Sequence, residues 1–313
     1  MAKSFLKDTD LTPAQAREVF DLAKRYKKIR SAGRLGVLGG QSWGLIFFKK
    51  STRTRLSFEA GVYELGGHPM MINAADLQLS RGETVEDTAR IMGRFLHGLV
   101  IRAYEQEVVE KFAQYSGLPV VNALTDLLHP CQSYTDMFTM AEVFSNGDPD
   151  WESLKGKKFA FFGDTACNMA YSLALAGGLF GVEVVLCGPK KFAPAPELDK
   201  LYKDAKLAKN YRFTTDPADA AKNADVLYTD VWVSMGKEEE KADRLATLAP
   251  YQVNEKLFKL ASKDAIFMHC LPAHPGEEVS EGVLRGKRSV IFDQAENRLH
   301  VQKAIISYIV KNA

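Results

Sequence analysis

Paired cysteines are missing from this chain of 313 residues: Cys131, Cys167, Cys187 and Cys270 stand far apart, with no CxxC among them. That spacing excludes a disulfide frame and a thiolate metal cage, and it suits a reducing compartment. His129, His269 and His274 lack HExxH spacing, so no metal is expected. An excess of one charge is also missing. Forty-one basic against thirty-nine acidic residues give a net charge of +2, too even for a nucleic-acid binder. The densest basic run, Lys24 to Arg30, has Glu18 and Asp21 beside it and reads as a solvated helix face. No apolar run is long enough to span a membrane, and Met1 to Asp8 has no signal-peptide core, so a soluble, cytoplasmic protein is expected. Nucleotide fingerprints fail as well. Gly163 ends an apolar run, but Thr165, Ala166, Cys167 and Asn168 follow where further glycines are required, and there is no GxxxxGK[ST] loop. No cofactor is expected.

What the chain does have is a rhythm. Short apolar runs at 44–48, 98–103, 119–123, 158–162, 182–187, 224–229, 265–270 and 289–292 read as strands. Helical spacing fills many of the gaps, as in Thr84 to Phe95, Glu105 to Tyr115 and Met169 to Phe180. Runs without polar alternation, separated by helices, imply parallel sheets covered on both faces. The polar, glycine-bearing stretch 145–157 suggests a boundary between two α/β units.

Polar residues gather where these strands end. Ser51-Thr52-Arg53-Thr54-Arg55 lies between the run Leu45 to Phe48 and a helical segment in which Phe58, Val62 and Leu65 share a face before Gly66-Gly67. The first N–H groups of a helix have no helical partner, so hydroxyls and guanidinium groups there make a phosphate cradle. The bland alternative is a capped helix with surface arginines. Arg102, His129 to Gln132, Asp164, Asn168, Asp230 and His269 to Pro272 occupy similar strand-end positions, where α/β folds bind small ligands. A lone His or Cys is more often structural. His68-Pro69 reads as a turn without function.

Over nearly its whole length the chain resembles the transcarbamylase family. Ser51 to Arg55 matches the family's carbamoyl-phosphate motif and His129-Pro130-Cys131-Gln132 its second. Gln78 to Thr84 resembles a loop that, in this family, enters a neighbouring subunit's site. Asp230 with Ser234-Met235-Gly236, His269 to Pro272, and Ala295 to Arg298 resemble the ornithine branch. The resemblance implies two doubly wound α/β domains, 1–142 for carbamoyl phosphate and 143–296 for ornithine, with the active site in a cleft between them. A helix at 297–313 would cross back to the first domain.

It further implies that the δ-amine of ornithine attacks carbamoyl phosphate, giving citrulline and phosphate. Ser51, Thr52, Arg53, Thr54, Gln78 and Arg102 would hold the phosphate. His129, Gln132 and Arg298 would surround the carbamoyl group, and the backbone carbonyls of Cys270 and Leu271 would accept from its NH₂. Asn168, Ser234 and Met235 would fix the α-end of ornithine, while Asp230 and Cys270 face its amine. The assembly implied is a homotrimer. Three positions depart from the pattern: Phe48, where the ornithine branch has a polar side chain, Cys167 and Pro275. Two other readings compete: a transcarbamylase for putrescine or an N-acylated ornithine, and a silent relative acting as a scaffold.

Overall fold

The computed structural model describes residues 4–233 and 238–312, which fall into two compact units, 1–138 with 296–313, and 139–295. The chain first passes from one unit to the other inside a helix, Pro130–Phe144, and the polar stretch 145–157 belongs wholly to the second unit. A continuous helix carries no composition change to mark where its contacts switch.

The first unit is built on strands β1 (Ser42–Phe47), β2 (His68–Asn73), β3 (Gly98–Arg102) and β4 (Val120–Leu124). All pair in parallel, in the order β2-β1-β3-β4. Every residue of β3 is buried, which explains the apolar run Leu99-Val100-Ile101 that leads into Arg102. Helices α1 (Pro13–Lys28), α2 (Arg53–Glu64), α3 (Val85–Phe95), α4 (Gln106–Ser116) and α5 (Pro130–Phe144) alternate with the strands. Phe58, Val62 and Leu65 are buried as their spacing predicts. The chain then turns at Gly66, whose φ of +96° and contact with the Leu35 carbonyl leave no room for a Cβ.

Two sequence expectations change here. His68-Pro69 is not a turn but the start of β2. An edge strand tolerates the missing N–H of proline, and its half-exposed residues hide the apolar signature. The run 289–292 is not a strand: Ser289 makes one bridge to Phe267, and a helix begins at Ile291. Ile291 is buried and Phe292 exposed, so the run Val290-Ile291-Phe292 sits on a turn of helix with only part of it facing the core.

That C-terminal helix, Ile291–Lys311, joins the first unit from Glu296 onward. Tyr26 donates to Ser307 (2.9 Å), Lys27 to Asn297 (2.8 Å) and Lys303 to Glu64 (2.6 Å). The helix thus returns to the amino-terminal unit, as the resemblance implied.

The second unit carries β5 (Lys158–Phe162), β6 (Glu183–Cys187), β7 (Tyr211–Thr214), β8 (Val226–Thr229) and β9 (Ile266–Met268). They form a parallel sheet in the order β7-β6-β5-β8-β9, with α6 (Asn168–Phe180) following β5. Strand β7 escaped the sequence reading because it is a half-exposed edge strand. Each sheet therefore reverses its winding once, between β1 and β3 in one unit and between β5 and β8 in the other. Ligands of open α/β sheets bind at the carboxyl ends of such strand pairs.

Candidate active site

In the first unit the switch point lies where β1 and β3 end, and Ser51, Thr54, Arg102, His129 and Arg298 converge on it. Thr52 is the N-cap of α2, and Ser51 Oγ accepts from the Thr54 N–H (3.2 Å), which satisfies one orphan donor of the first turn. Thr54 is buried, and its hydroxyl is the hub. Arg298 Nη2 donates to Thr54 Oγ1 at 2.5 Å and Arg102 Nη1 donates to the same oxygen at 3.4 Å. A hydroxyl has two acceptor sites and one proton. Both acceptor sites of this hydroxyl thus face guanidinium groups. Arg102 is 9 % exposed and Arg298 is 3 % exposed, so both charges act in a partly desolvated site where they are felt strongly.

His129 is buried beside them. Burial and then the positive charges of Arg298 and Arg102 hold its pKa well below the ordinary histidine value, so the ring is neutral at physiological pH. Gln132, one helical turn on, is fully buried and donates through Nε2 to Asp136 (2.8 Å). Arg53 is half-buried at the first position of α2, whereas Arg55 is exposed and faces Glu59 at 4.0 Å on the same helix. The bland reading of a surface arginine therefore suits Arg55, not Arg53.

Gln78 is exposed in a short 3-10 turn, Gln78–Arg81, and no hydrogen bond among the described residues ties its side chain to the cradle. Lys49 went unremarked in the sequence, although it stands two residues before Ser51. It is 8 % exposed, pairs with Asp126 and lies 4.2 Å from the centre of the Tyr104 ring.

In the second unit Gly163, with φ +126°, turns the chain at the end of β5 beside the Trp232 indole, close to where a Cβ would stand. Asp164 follows, but it is not an open ligand group. It pairs with Arg244, which also donates to the Trp232 carbonyl (2.6 Å) and lies 4.6 Å from the Phe192 ring centre. Arg244 is 2 % exposed; sequence could not single it out among 41 basic residues. Asn168, half-buried, opens α6. Ser234 and Met235 lie outside the described residues.

Asp230 and Cys270 do meet: the Cys270 thiol donates to Asp230 Oδ1 at 3.1 Å, and the Val231 N–H donates to the same oxygen at 2.8 Å. His269 completes a group whose possible ligand atoms lie within 4.8 Å of one another. Its ring is already engaged, with Nδ1 accepting from the Leu271 N–H (2.8 Å) and Nε2 facing buried Glu278 (3.3 Å). The bond from the Leu271 N–H ties this ring to the segment that carries the Cys270 and Leu271 carbonyls, with Leu271 at φ +59°. A cavity of about 390 Å³ lined by Arg34, Gln41, Tyr63 and His68 opens at the opposite, amino end of β1, away from this chemistry.

The carbamoyl-phosphate-binding domain of aspartate/ornithine carbamoyltransferases matches residues 3–142, and the aspartate/ornithine-binding domain matches residues 155–309. The chain belongs to the aspartate/ornithine carbamoyltransferase family. Among its relatives, the ornithine carbamoyltransferases of Staphylothermus marinus and Methanoculleus marisnigri are each 44 % identical over 312 residues. The alignments cover 98 % of this chain and 98 % of the first protein, and 99 % and 97 % for the second. Of solved structures, ornithine carbamoyltransferase from Pyrococcus furiosus is similar with TM-score 0.90 and 39 % identity, covering 100 % of this chain and 98 % of that one. The Thermus thermophilus enzyme gives 0.86 and 37 %, covering 99 % of each chain. Within this family the hub at Thr54 and the Cys270–Asp230 pair fall one in each matched domain.

Proposed function

We propose that this chain transfers the carbamoyl group of carbamoyl phosphate to the δ-amine of L-ornithine, releasing L-citrulline and phosphate. The observation that carries the reading is the Thr54 hydroxyl, held by Arg102 and Arg298 beside a neutral His129 at the end of β1 and β3. Ser51, Thr52, Arg53, Thr54 and Arg102 hold the phosphate dianion, by backbone N–H groups, hydroxyls and guanidinium charge. His129, Gln132 and Arg298 surround the carbamoyl group. A neutral imidazole polarises the carbonyl through an N–H, and the arginines stabilise the oxygen as it becomes negative.

Asp230 and Cys270 face the amine, and Asn168 with Ser234 and Met235 holds the α-end of ornithine. The neutral amine nitrogen forms a bond to the carbamoyl carbon, the bond from that carbon to the phosphate oxygen breaks, and the amine's surplus proton passes to the leaving phosphate. A free amine of this kind has a pKa of about 10, and nearby arginines lower it by repelling the ammonium form. Proximity and electrostatics suffice, with no covalent intermediate.

The enzyme acts as a homotrimer in which Gln78 serves a neighbour's site, in the cytoplasm, and in arginine biosynthesis or arginine catabolism. Exposed Ile91 and Phe95, four apart on α3, offer an apolar face for self-association. Four free cysteines suit a reducing compartment. The decisive assay offers carbamoyl phosphate with ornithine, aspartate, putrescine and N-acetylornithine in parallel. Citrulline from ornithine, with little product from the others, is expected. Preference for putrescine or N-acetylornithine, or no turnover at all, overturns the reading.

A further inference from the structure

We propose that Asp136 is a positioning residue that makes the site selective for a carbamoyl nitrogen. The inference rests on the functional reading above. Gln132 and Asp136 lie four apart on α5, and both are fully buried. A carboxylate oxygen accepts hydrogen bonds, whereas a glutamine amide has an NH₂ end that donates and a carbonyl end that accepts. Asp136 therefore takes the NH₂ end, as the 2.8 Å contact from Nε2 to Oδ1 records. This pairing decides which way the amide faces. Gln132 Oε1 is left without a hydrogen-bond partner among the described residues, although the side chain has no exposure.

A buried carbonyl without a donor is costly. A ligand that brings an N–H group to Oε1 offsets that cost. His129, on the same face of the first turn, lies among the charges of Arg298 and Arg102, so Gln132 belongs to the end of the sheet where the carbamoyl group is bound. Carbamoyl phosphate carries an NH₂ where acetyl phosphate carries a methyl group. A site that holds an acceptor towards that position rejects the methyl analogue because the acceptor stays unpaired. Without the carboxylate anchor, the amide can turn over and present NH₂ instead, and the preference weakens. The α5 pair is thus a selectivity lock set from behind the ligand.

The test compares wild type with Asp136→Asn, whose side chain can donate as well as accept. Direct calorimetry gives the Kd for carbamoyl phosphate and for acetyl phosphate, alongside steady-state citrulline formation. Asp136→Asn is expected to weaken carbamoyl phosphate by about tenfold and acetyl phosphate by less than about threefold, one unpaired buried polar group being the difference. On a Gln132→Met background the same change is expected to leave the ratio of the two affinities unaltered, since the lock acts only through the amide. If the asparagine variant does not fold, Asp136→Ser asks the same question. Equal weakening of both phosphates makes Asp136 a structural residue only and overturns the inference. So does a shift in the ratio that persists without Gln132. A wild-type protein that binds carbamoyl phosphate in preference to acetyl phosphate but forms no citrulline refutes the functional reading while leaving the lock intact.

Discussion

Thr54→Val removes a single hydroxyl and keeps the shape of the side chain, so it isolates the hub of the proposed phosphate site. In the folded protein that oxygen accepts from Arg298 at 2.5 Å and from Arg102 at 3.4 Å. The first contact is short and buried, the second long. Hydrogen bonds to charged groups contribute about 1.5–3 kcal/mol each, and losing a buried partner adds to that. Counting the short contact fully and the long one in part gives roughly 2–4 kcal/mol, which is about 30- to 900-fold in kcat/KM. The assay is citrulline formation with carbamoyl phosphate varied at saturating ornithine, with a thermal melt to show that the variant is folded. Thr54→Ser keeps the hydroxyl and should remain within about fivefold of wild type. A folded Thr54→Val enzyme within about threefold of wild type in kcat/KM would refute the hub.

Arg53→Ala should lose about 2–4 kcal/mol of transition-state stabilisation, as for one preorganised charged donor, while Arg25→Ala, exposed on α1, should change kcat/KM little. Equal losses would remove Arg53 from the cradle. Stability should fall on acidification. His129 and His300 have folded-state pKa values below the ordinary 6.5, about 4 for His300, chiefly through burial. Their contribution is complete above the unfolded value. It is lost as pH falls below that value, at about 1.4 kcal/mol per pH unit for each ring, until the folded pKa is reached. Urea midpoints between pH 7.5 and 5 read this, and His300→Gln should flatten the slope; an unchanged slope contradicts the buried neutral ring. Arg244→Met strands the buried Asp164 and should destabilise by about 3–5 kcal/mol in denaturant titration. A shift of less than about 1 kcal/mol would mean the pair is not an anchor. Mixing Arg53→Ala and Gln78→Ala subunits should recover activity above the average of the parents, because some sites then hold both residues; activity equal to that average, after confirmed exchange, places Gln78 outside any shared site.

The sequence by itself determined the parallel α/β plan, because buried strands carry apolar runs such as Leu99-Val100-Ile101, which need nothing beyond their own composition to be read. It marked the cradle too, since hydroxyls and arginines at the start of a helix are a local arrangement of neighbours in the chain. Recognition of Arg298 and Gln78 came only by resemblance. Edge strands His68–Asn73 and Tyr211–Thr214 were hidden because half-exposed strands need not be apolar, and 289–292 misled because a short apolar run suits a helix start equally well. Only the tertiary structure brought Arg298 onto Thr54, 244 residues away in sequence, by returning the C-terminal helix to the first unit. It also decided that Asp164 serves Arg244 and that Gln132 faces one way. Such pairings are long-range or depend on burial, and burial is a property of the folded chain, not of any segment of it.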